Sequence, residues 1–415
     1  MSLKLLLLLP TLTAGVTLVT ETTSNATDRH RLYQELFVKQ GYNSKIQPIF
    51  GGNITEVNIS LHLKSLNDLD EMSETLQTSV YMVIEWFDVF LTWNKSDYNG
   101  LYFIYWPQDD VWKPDIVLYN SDKAYEALGH KTIMVENYSD GWIRWFPMEL
   151  FETSCEVEMT YFPFDVHTCE LQFTPWSYTS VKLTSFSDTV GLESYSTNAL
   201  WEILETSVEK RKVANVDVLS YKLKIQRKHL HEMLTLFVPV LLLTILDLFV
   251  FALPNGGDRS GYAVTVFLAF SVYFTIVDTV MPPNSEKISL FSIYLVIQTC
   301  QSTIITILSV LLTKVEFIDE STRIPRVLVF LVRISGACCR RKKAAEVYAL
   351  EHITEGETSE GNTIEKDLKE TTEPATWTMV TDAVDKIASI VFTLVFIITT
   401  VIFFCVIILV PNRLK

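Results

Sequence analysis

The sequence lacks the local motifs that accompany most enzymatic chemistry. It contains no metalloprotease helix motif, no nucleophile elbow and no phosphate-binding glycine loop. His62, His130 and His167 lie far apart in the chain, in stretches typical of ordinary surface or strand positions, and do not predict a metal site. We therefore expect no enzymatic activity, no cofactor, no metal and no nucleic-acid partner.

Long apolar runs are also missing from the first 230 residues, once the extreme N-terminus is passed. Four such runs follow, each close to the ~20 residues that a membrane span requires. They cover roughly Met233–Leu253, Ser260–Met281, Ile288–Thr313 and Ala388–Val410. A chain of 415 residues that is 48% hydrophobic is too apolar for one ordinary soluble domain and long enough for two.

The first twenty residues carry a lysine followed by a short apolar run, which predicts a signal peptide over residues 1–20. Asn-X-Ser/Thr sequons occur only before the first span and mark residues 21–230 as an exported, glycosylated domain. The five predicted glycan acceptors are Asn25, Asn53, Asn58, Asn94 and Asn137.

Basic residues set the expected topology. Arg259 lies between spans one and two, and a run from Arg340 to Lys343 follows span three. The positive-inside rule places both loops in the cytoplasm, which predicts an extracellular N-terminal domain and C-terminus at the plasma membrane. Residues 231–313 then hold spans one to three. Residues 314–387 form a cytoplasmic loop with an amphipathic helix and a helix before span four, and residues 388–415 hold that span and the C-terminus.

Short runs with period-two alternation recur through the exported domain, which predicts antiparallel strands and a β-sandwich. The clearest runs are Glu56–Leu63, Thr78–Trp86, Trp142–Phe146, Glu156–Tyr161 and Ser220–Arg227. A helix near Asp28–Lys39 precedes them. Cysteine is scarce, with six in the chain, and Cys155 and Cys169 are the two in the exported domain, where a disulfide can form.

The second span has a polar stripe along one side. Residues at alternating steps of four and three share a face of a helix, and most of those here are small or hydroxylated. The stripe consists of Gly261, Thr265, Leu268, Val272, Thr275 and Thr279. Such a helix suits lipid or protein on most sides and water on one, and a ring of such helices makes a pore. Asp247, within the first span, is a further functional candidate because intramembrane acids are costly.

Thirteen residues separate Cys155 from Cys169, and they include Phe162, Pro163, Phe164 and Asp165. This segment resembles the signature loop of the Cys-loop receptors, the pentameric ligand-gated ion channels. The segment Trp112–Tyr119 adds to the resemblance, which looks closest to the nicotinic acetylcholine and serotonin type-3 branch. It implies a β + α membrane protein: an extracellular β-sandwich followed by a four-helix transmembrane bundle, with a Cys155–Cys169 disulfide and four further subunits around a pore.

The resemblance also implies an agonist site between neighbouring chains. Tyr119 and Trp176 match the principal face. Tyr81, Arg144 and Phe146 match the complementary face, although packing within the sandwich remains an alternative for these aromatics. Aromatic faces bind ammonium groups. The third binding loop departs from the family, because Ser207 and Val216 stand where tyrosines are expected. Lys210-Arg211 replaces the paired cysteines, so acetylcholine should bind poorly.

Pore and coupling residues follow from the same resemblance. Asp258 at the cytoplasmic mouth and Asp278 near the outer end would favour cations, and rings of Leu268 and Val272 would form an apolar gate. The net charge of −15 would also concentrate cations, or serve solubility alone. For coupling, Glu71 is expected to pair with Arg227, and the tip Phe162–Asp165 to press on the linker Pro282–Ser289.

These features predict a ligand-gated, cation-selective channel subunit whose partners are a small-molecule agonist, monovalent cations and membrane lipids. Two alternatives stay open within the same fold. One is a non-conducting accessory or binding subunit, which the altered third loop favours. The other is an anion-selective channel.

Overall fold

The computed structural model describes residues 26–49, 54–130, 132–177, 180–213, 216–254, 256–281, 288–315, 324–335 and 376–409, with residues 318 and 322. The expected signal peptide, Asn25, Asn53, most of the Pro282–Ser289 linker, the basic run Arg340–Lys343 and the extreme C-terminus lie outside these residues. The short helix α1, Ala26–Tyr33, continues as a wider helical turn to Lys39 and buries Leu32 and Leu36 against the domain that follows.

Eleven strands follow among the described residues. They are β1 (Thr55–Asp70), β2 (Thr75–Phe87), β3 (Phe103–Pro107), β4 (Ile116–Leu118), β5 (Met134–Tyr138), β6 (Trp142–Trp145), β7 (Met148–Ser154), β8 (Val166–Pro175), β9 (Val181–Ser185), β10 (Trp201–Val213) and β11 (Val216–Arg227). One sheet has the order β3-β5-β6-β2-β1-β9, with β7 pairing with β2, and the other has the order β10-β11-β8-β4.

The two sheets form the predicted sandwich, and strand alternation explains its core. On β2, Val80, Met82 and Ile84 are buried between the sheets, whereas Tyr81 and Glu85 point outwards. Successive strand residues point to opposite faces, so a period-two sequence gives one buried face.

The predicted strand Glu156–Tyr161 is wrong. This segment leaves β7 in one sheet and crosses to β8 in the other, so it has no neighbouring strand to pair with in the described sandwich. The apolar residues of the alternating pattern are nevertheless buried, as Val157 and Met159 show. The Cys155–Cys169 disulfide closes this crossing loop, as predicted, and the Phe162–Pro163 peptide bond is cis.

The prediction that Asn137 is a glycan acceptor does not fit the structure, because its side chain is buried. Asn137 is 0% exposed, its amide nitrogen donates to the Leu91 carbonyl oxygen at 3.1 Å, and its Oδ1 accepts from Trp106 Nε1 at 3.0 Å. A side chain enclosed and bonded in this way belongs to the core. Asn94 is exposed and Asn58 is half-buried, so both remain predicted acceptors.

Four helices are long and apolar enough to cross a membrane, by length and composition, in the part of the chain described. They are α2 (Leu230–Ala252), α3 (Gly257–Val280), α4 (Leu290–Val315) and α5 (Trp377–Leu409). They match the four predicted spans, and α5 starts eleven residues before the predicted Ala388 as one continuous helix. A further helix covers residues 326–335.

Hydrogen bonds between hydroxyls and amides join these helices. Tyr294 and Thr400 hydroxyls lie 3.1 Å apart, and Gln298 Nε2 donates to Thr399 Oγ1 at 3.2 Å, both linking α4 to α5. Asp247, predicted as a functional candidate, is buried, and its Oδ1 accepts from Ser302 Oγ at 3.2 Å. This hydrogen bond links α2 to α4.

Candidate functional site

The predicted principal-face aromatics lie at the edge of the smaller sheet, where β4 pairs with β8. Tyr119 follows β4 directly, and its N–H donates to the Gln172 carbonyl oxygen at 2.7 Å. Trp176 follows β8, and its N–H donates to the Asp115 carbonyl oxygen at 3.0 Å. Both side chains are exposed, Trp176 by 66%. Backbone bonds fix their positions while leaving the rings free to contact another molecule.

The structure adds an aromatic that sequence reasoning did not single out. The segment after Tyr119 folds back so that the Tyr125 ring stacks against Trp176, with centroids 6.0 Å apart and 20° between the planes. Asp115 also binds the backbone beside Trp176, because its Oδ2 accepts the Ser177 N–H at 2.5 Å. The sequence offered only an isolated tyrosine in a loop, which carries no period that could have revealed this contact.

The β10–β11 hairpin holds the third binding loop, and two of its three consecutive cations, Arg211 and Lys212, lie near a carboxylate. Arg211 lies 3.8 Å from Glu170, and Lys212 lies 3.7 Å from Asp217. Lys222 on the neighbouring strand also lies 3.4 Å from Glu170. These exposed pairs offset the positive charge of the hairpin only in part. The hairpin pairs Val213 with Val216 and Ser207 with Lys222, so the two positions where tyrosines were expected, Ser207 and Val216, carry no aromatic ring.

The predicted complementary-face residues lie on the larger sheet. Tyr81 on β2 stacks on His62, with ring centroids 4.5 Å apart, and Phe146 follows β6 half-buried. Arg144 on β6 pairs with Glu85, Nε to Oε1 at 2.5 Å, and its guanidinium lies 5.3 Å from the Tyr138 ring centre. Burial opposes the charged form of Arg144, but the Glu85 carboxylate outweighs it and the pKa of Arg144 is raised.

These two groups of residues lie on different sheets of one chain. The structure brings Tyr119 and Trp176 to one edge, and it brings Tyr81, Phe146 and Arg144 to the face of the other sheet.

The predicted coupling pair belongs to a larger buried cluster. Arg227, at the end of β11 and 8% exposed, donates from Nη2 to Glu71 Oε1 at 2.6 Å. Its Nε also donates to Asp165 Oδ1 at 2.9 Å, and the side chain of Asp165 is 0% exposed. Burial alone would raise the pKa of Asp165, but the hydrogen bond from His167 and the Arg227 charge together hold it below its ordinary value.

Two further residues complete this coupling cluster of Glu71, Phe162, Asp165, His167, Trp201 and Arg227. His167 is buried, its Nε2 lies 2.5 Å from Asp165 Oδ2, and its Nδ1 accepts the Glu158 N–H at 3.3 Å. The Nδ1 acceptor role leaves Nε2 to carry the proton. Trp201 lies under the Arg227 guanidinium at 4.3 Å. The spacing of two between Asp165 and His167 was the available signal, since such residues share a face of an extended chain.

The tip of the disulfide loop meets the helical domain. Leu290 N–H donates to the Thr160 carbonyl oxygen at 3.0 Å, and the Phe162 ring lies 6.2 Å from the Phe291 ring. Phe164 lies 4.5 Å from His229, just before α2. The described contacts of the predicted tip are therefore with the starts of α4 and α2.

The predicted pore stripe lies on the exposed side of α3. Every member from Gly261 to Thr279 is exposed, as are Asp258 and Asp278, and Leu268 is 60% exposed. The opposite side, with Ala263, Val266 and Phe270, is buried against the other helices. An apolar groove of about 630 Å³ runs beside Leu268 and Val272, along α2.

Neighbouring charges at the start of α3 point in different directions. Asp258 is exposed, whereas Arg259 is 1% exposed and makes two hydrogen bonds to Asp385 in α5, at 2.6 and 2.7 Å. The Arg259 guanidinium also lies 5.6 Å from the Phe251 ring centre. Sequence reasoning did not identify Asp385 as the partner of Arg259.

Comparison with known proteins indicates the same family as the disulfide loop does. Residues 29–229 match the family model described as neurotransmitter-gated ion-channel ligand binding domain. The chain belongs to the Cys-loop receptor family. Members of this Cys-loop receptor family are ligand-gated ion channels and not enzymes, in agreement with the absence of catalytic motifs.

Several relatives of this Cys-loop receptor are named as acetylcholine receptor subunits. The human neuronal acetylcholine receptor subunit beta-4 is 30% identical over 306 residues, covering 72% of this chain and 61% of the relative. The bovine neuronal subunit alpha-3 is 30% identical over 332 residues, covering 77% and 64%. The acetylcholine receptor subunit beta-like 1 of Drosophila melanogaster is 29% identical over 310 residues, covering 71% and 58%. The chain thus spans less than two thirds of the length of these relatives.

Proposed function

We propose that this Cys-loop receptor chain is a subunit of a pentameric, ligand-gated, cation-selective channel of the plasma membrane. The carrying observation is the start of α3, where Asp258 is exposed while the Arg259 charge is buried against Asp385. In a ring of five, the mouth would then present five carboxylates whose neighbouring arginines are already neutralised. Such a ring attracts cations and repels chloride.

The exposed side of α3 supplies the rest of the proposed pore. Thr265 lies on the proposed cytoplasmic side of the apolar pair Leu268 and Val272, and Thr275 lies on its outer side. Rings of Leu268 and Val272 would close a narrow pore by excluding water. In a pentamer, the neighbouring chain would cover the apolar groove between α2 and α3. This contact would explain why the leucine, valine and isoleucine side chains that line the groove are exposed in a single chain.

The agonist site is proposed between chains, with Tyr119 and Trp176 from one chain and Tyr81, Arg144 and Phe146 from the next. Their separation onto different sheets supports this arrangement. The named relatives are acetylcholine receptor subunits, so a small-molecule agonist is expected, although the β10–β11 hairpin lacks the tyrosines and paired cysteines that acetylcholine would need. Signal peptide, glycans at Asn58 and Asn94, and the extracellular C-terminus complete the proposed topology.

A second candidate is an accessory subunit of the same fold that cannot open alone. The β10–β11 hairpin favours the accessory subunit, because Ser207 and Val216 leave the third binding loop without aromatic rings at the two positions where the family has tyrosines. Homomeric current separates the two candidates.

The test is to express the chain alone in oocytes with Leu268→Thr and record current without added ligand. A hydroxyl ring in place of the apolar ring should wet the pore and give a standing current that shifts with external sodium. Ile304→Thr is the matched control, since Ile304 is an equally exposed apolar residue on α4, outside the stripe. Surface-expressed Leu268→Thr without current would contradict a homomeric channel, and a reversal potential that follows chloride would contradict cation selectivity.

A further inference from the structure

The coupling cluster contains a titratable side chain, His167, that neither the proposed agonist site nor the proposed pore uses. Its side chain is fully buried at the start of β8, where it pairs with Ile225 of β11 in the strand register. The ring lies 5.4 Å from the Trp201 ring of β10. Because protein atoms replace water around this histidine, a change in its protonation must change its hydrogen bonds to the protein.

Both ring nitrogens of His167 are engaged. Nε2 donates to Asp165 Oδ2 at 2.5 Å, and Nδ1 accepts the Glu158 N–H at 3.3 Å. A proton on Nδ1 would turn that acceptor into a second donor, which would then face the Glu158 N–H. The bond to Glu158 would be lost, whereas the bond from Nε2 to the Asp165 carboxylate would become charge-assisted and remain.

The charges around His167 leave a place for one more proton. Asp165 comes from the disulfide loop, Glu71 from the turn after β1, and Arg227 from the end of β11 binds both carboxylates. The third strand packed here contributes the uncharged Trp201. Two carboxylates and one guanidinium give the described cluster one net negative charge. A proton on His167 would cancel this charge, although burial of the ring opposes it.

The bond at Glu158 lies close to the contact between the disulfide loop and the helical domain. The Thr160 carbonyl oxygen accepts the Leu290 N–H at 3.0 Å, at the start of α4. The Thr160 hydroxyl also donates to the Glu158 carboxylate at 3.3 Å, so that carboxylate is turned towards Thr160. Because Met159 between them is buried, a shift of the Glu158 backbone is passed on to Thr160.

We propose that His167 is a positioning residue of the coupling cluster and makes it proton-dependent. A proton taken up from solvent on Nδ1 releases the loop backbone at Glu158 and loosens the bond between the loop and Leu290 of α4. Histidine side chains change charge between about pH 5 and 8, so the release belongs to that range. The proposal rests on the proposed function only in treating this loop as part of the path from the binding face to the pore.

The test is amide hydrogen exchange of the full-length assembled protein in detergent, followed by mass spectrometry between about pH 8 and 5. The reference is His167→Gln, since glutamine offers a donor and an acceptor but does not titrate. Each wild-type rate is divided by the rate of this variant at the same pH, which removes the chemical pH dependence of exchange. Loss of one hydrogen bond should raise the ratio at Glu158 about two- to ten-fold on acidification, with a smaller rise at Leu290.

Two further variants separate the cluster from other titrating groups. His62→Gln is the matched control, since His62 on β1 of the other sheet also contacts a carboxylate, Glu193 at 3.2 Å, and should leave the profile unchanged. Glu71→Gln should move the midpoint of the Glu158 profile to lower pH, because one of the two carboxylates is removed. If His167→Gln fails to assemble on size exclusion, the displacement of the Glu71→Gln profile from that of the wild type supplies the test.

The proposal is overturned if the ratio at Glu158 stays level across the range, if His62→Gln abolishes its rise, or if Glu71→Gln leaves the midpoint in place. A rise at Glu158 without one at Leu290 would overturn the link to α4.

These outcomes are distinct from those of the channel test, because exchange is measured without current or ligand. Standing current in Leu268→Thr together with a level exchange ratio leaves the channel function intact and removes the inference. An acid-dependent ratio in a protein that carries no current supports the inference in an accessory subunit.

Discussion

Asp165→Asn tests the coupling cluster most directly, because it removes one charge from a buried pair without changing side-chain shape. The Asp165 side chain is fully buried and accepts from both Arg227 and His167. After the change, Arg227 would retain only Glu71, whose side chain is 24% exposed. Removing one partner of a buried ion pair costs about 3–5 kcal/mol when the remaining charge is poorly compensated, and the partly exposed Glu71 compensates Arg227 only in part.

The expected loss converts into a thermal shift. A domain of 150–250 residues moves its Tm by about 2–4 °C per kcal/mol, so Asp165→Asn should lower the midpoint by about 6–20 °C. The assay is fluorescence-detected size exclusion after heating the detergent-solubilised protein, which follows the assembled species.

Two controls make the reasoning refutable. The double variant Asp165→Asn with Arg227→Met should lose less than the sum of the single changes, because it leaves no unpaired buried charge. Glu56→Gln, at the exposed Lys182–Glu56 pair with 2.7 Å between charges, should leave the midpoint within about 2 °C. A shift for Asp165→Asn no larger than that of Glu56→Gln, or fully additive losses in the double variant, would refute this account.

Three further predictions concern other parts of the chain. The folded-state pKa of Asp165 lies below its ordinary value of 3.8. The ionised Asp165 therefore stabilises the fold fully above about pH 4, and this stabilisation is lost as the pH falls further. Below about pH 4, the Tm of the wild type should fall more steeply than that of Asp165→Asn in the same heating assay. Asp385→Asn should reduce surface expression, measured by biotinylation, and adding Arg259→Gln should partly restore it, because the buried charge is then removed. Asn94→Gln should remove one glycan step on a gel before glycosidase treatment, whereas Asn137→Gln should not.

The features that sequence predicted well are periodic and local. Alternation in Thr78–Trp86 gave the inner and outer faces of β2, and the steps of three and four from Gly261 gave the exposed side of α3. In each case the backbone geometry of a single element fixes which side chains share a face. No knowledge of distant residues was needed.

Pairings across long separations could not be predicted in this way. Asp165 and Arg227 are 62 residues apart, and Arg259 and Asp385 are 126 apart. Each member alone is an ordinary charged residue in the sequence, and the desolvation that makes its partner necessary exists only after folding. The prediction of Asn137 as a glycan acceptor was wrong for the same reason, because a sequon does not show whether its asparagine side chain is buried after folding.

The β10–β11 hairpin shows how contacts between distant residues connect the proposed ligand-binding face to the membrane helices. The hairpin pairs Val213 with Val216 near its tip, which belongs to the proposed binding face, and pairs Trp201 with Arg227 at its base. Arg227 is followed within three residues by α2. Arg227 also holds Asp165, whose loop accepts a hydrogen bond from the Leu290 N–H and packs onto the start of α4. A movement of the tip that reaches the membrane through this hairpin must therefore disturb Arg227. We expect ligand-dependent current to require the Asp165–Arg227 bond, and a double-mutant cycle on current would give no coupling energy if motion reached α4 by another route.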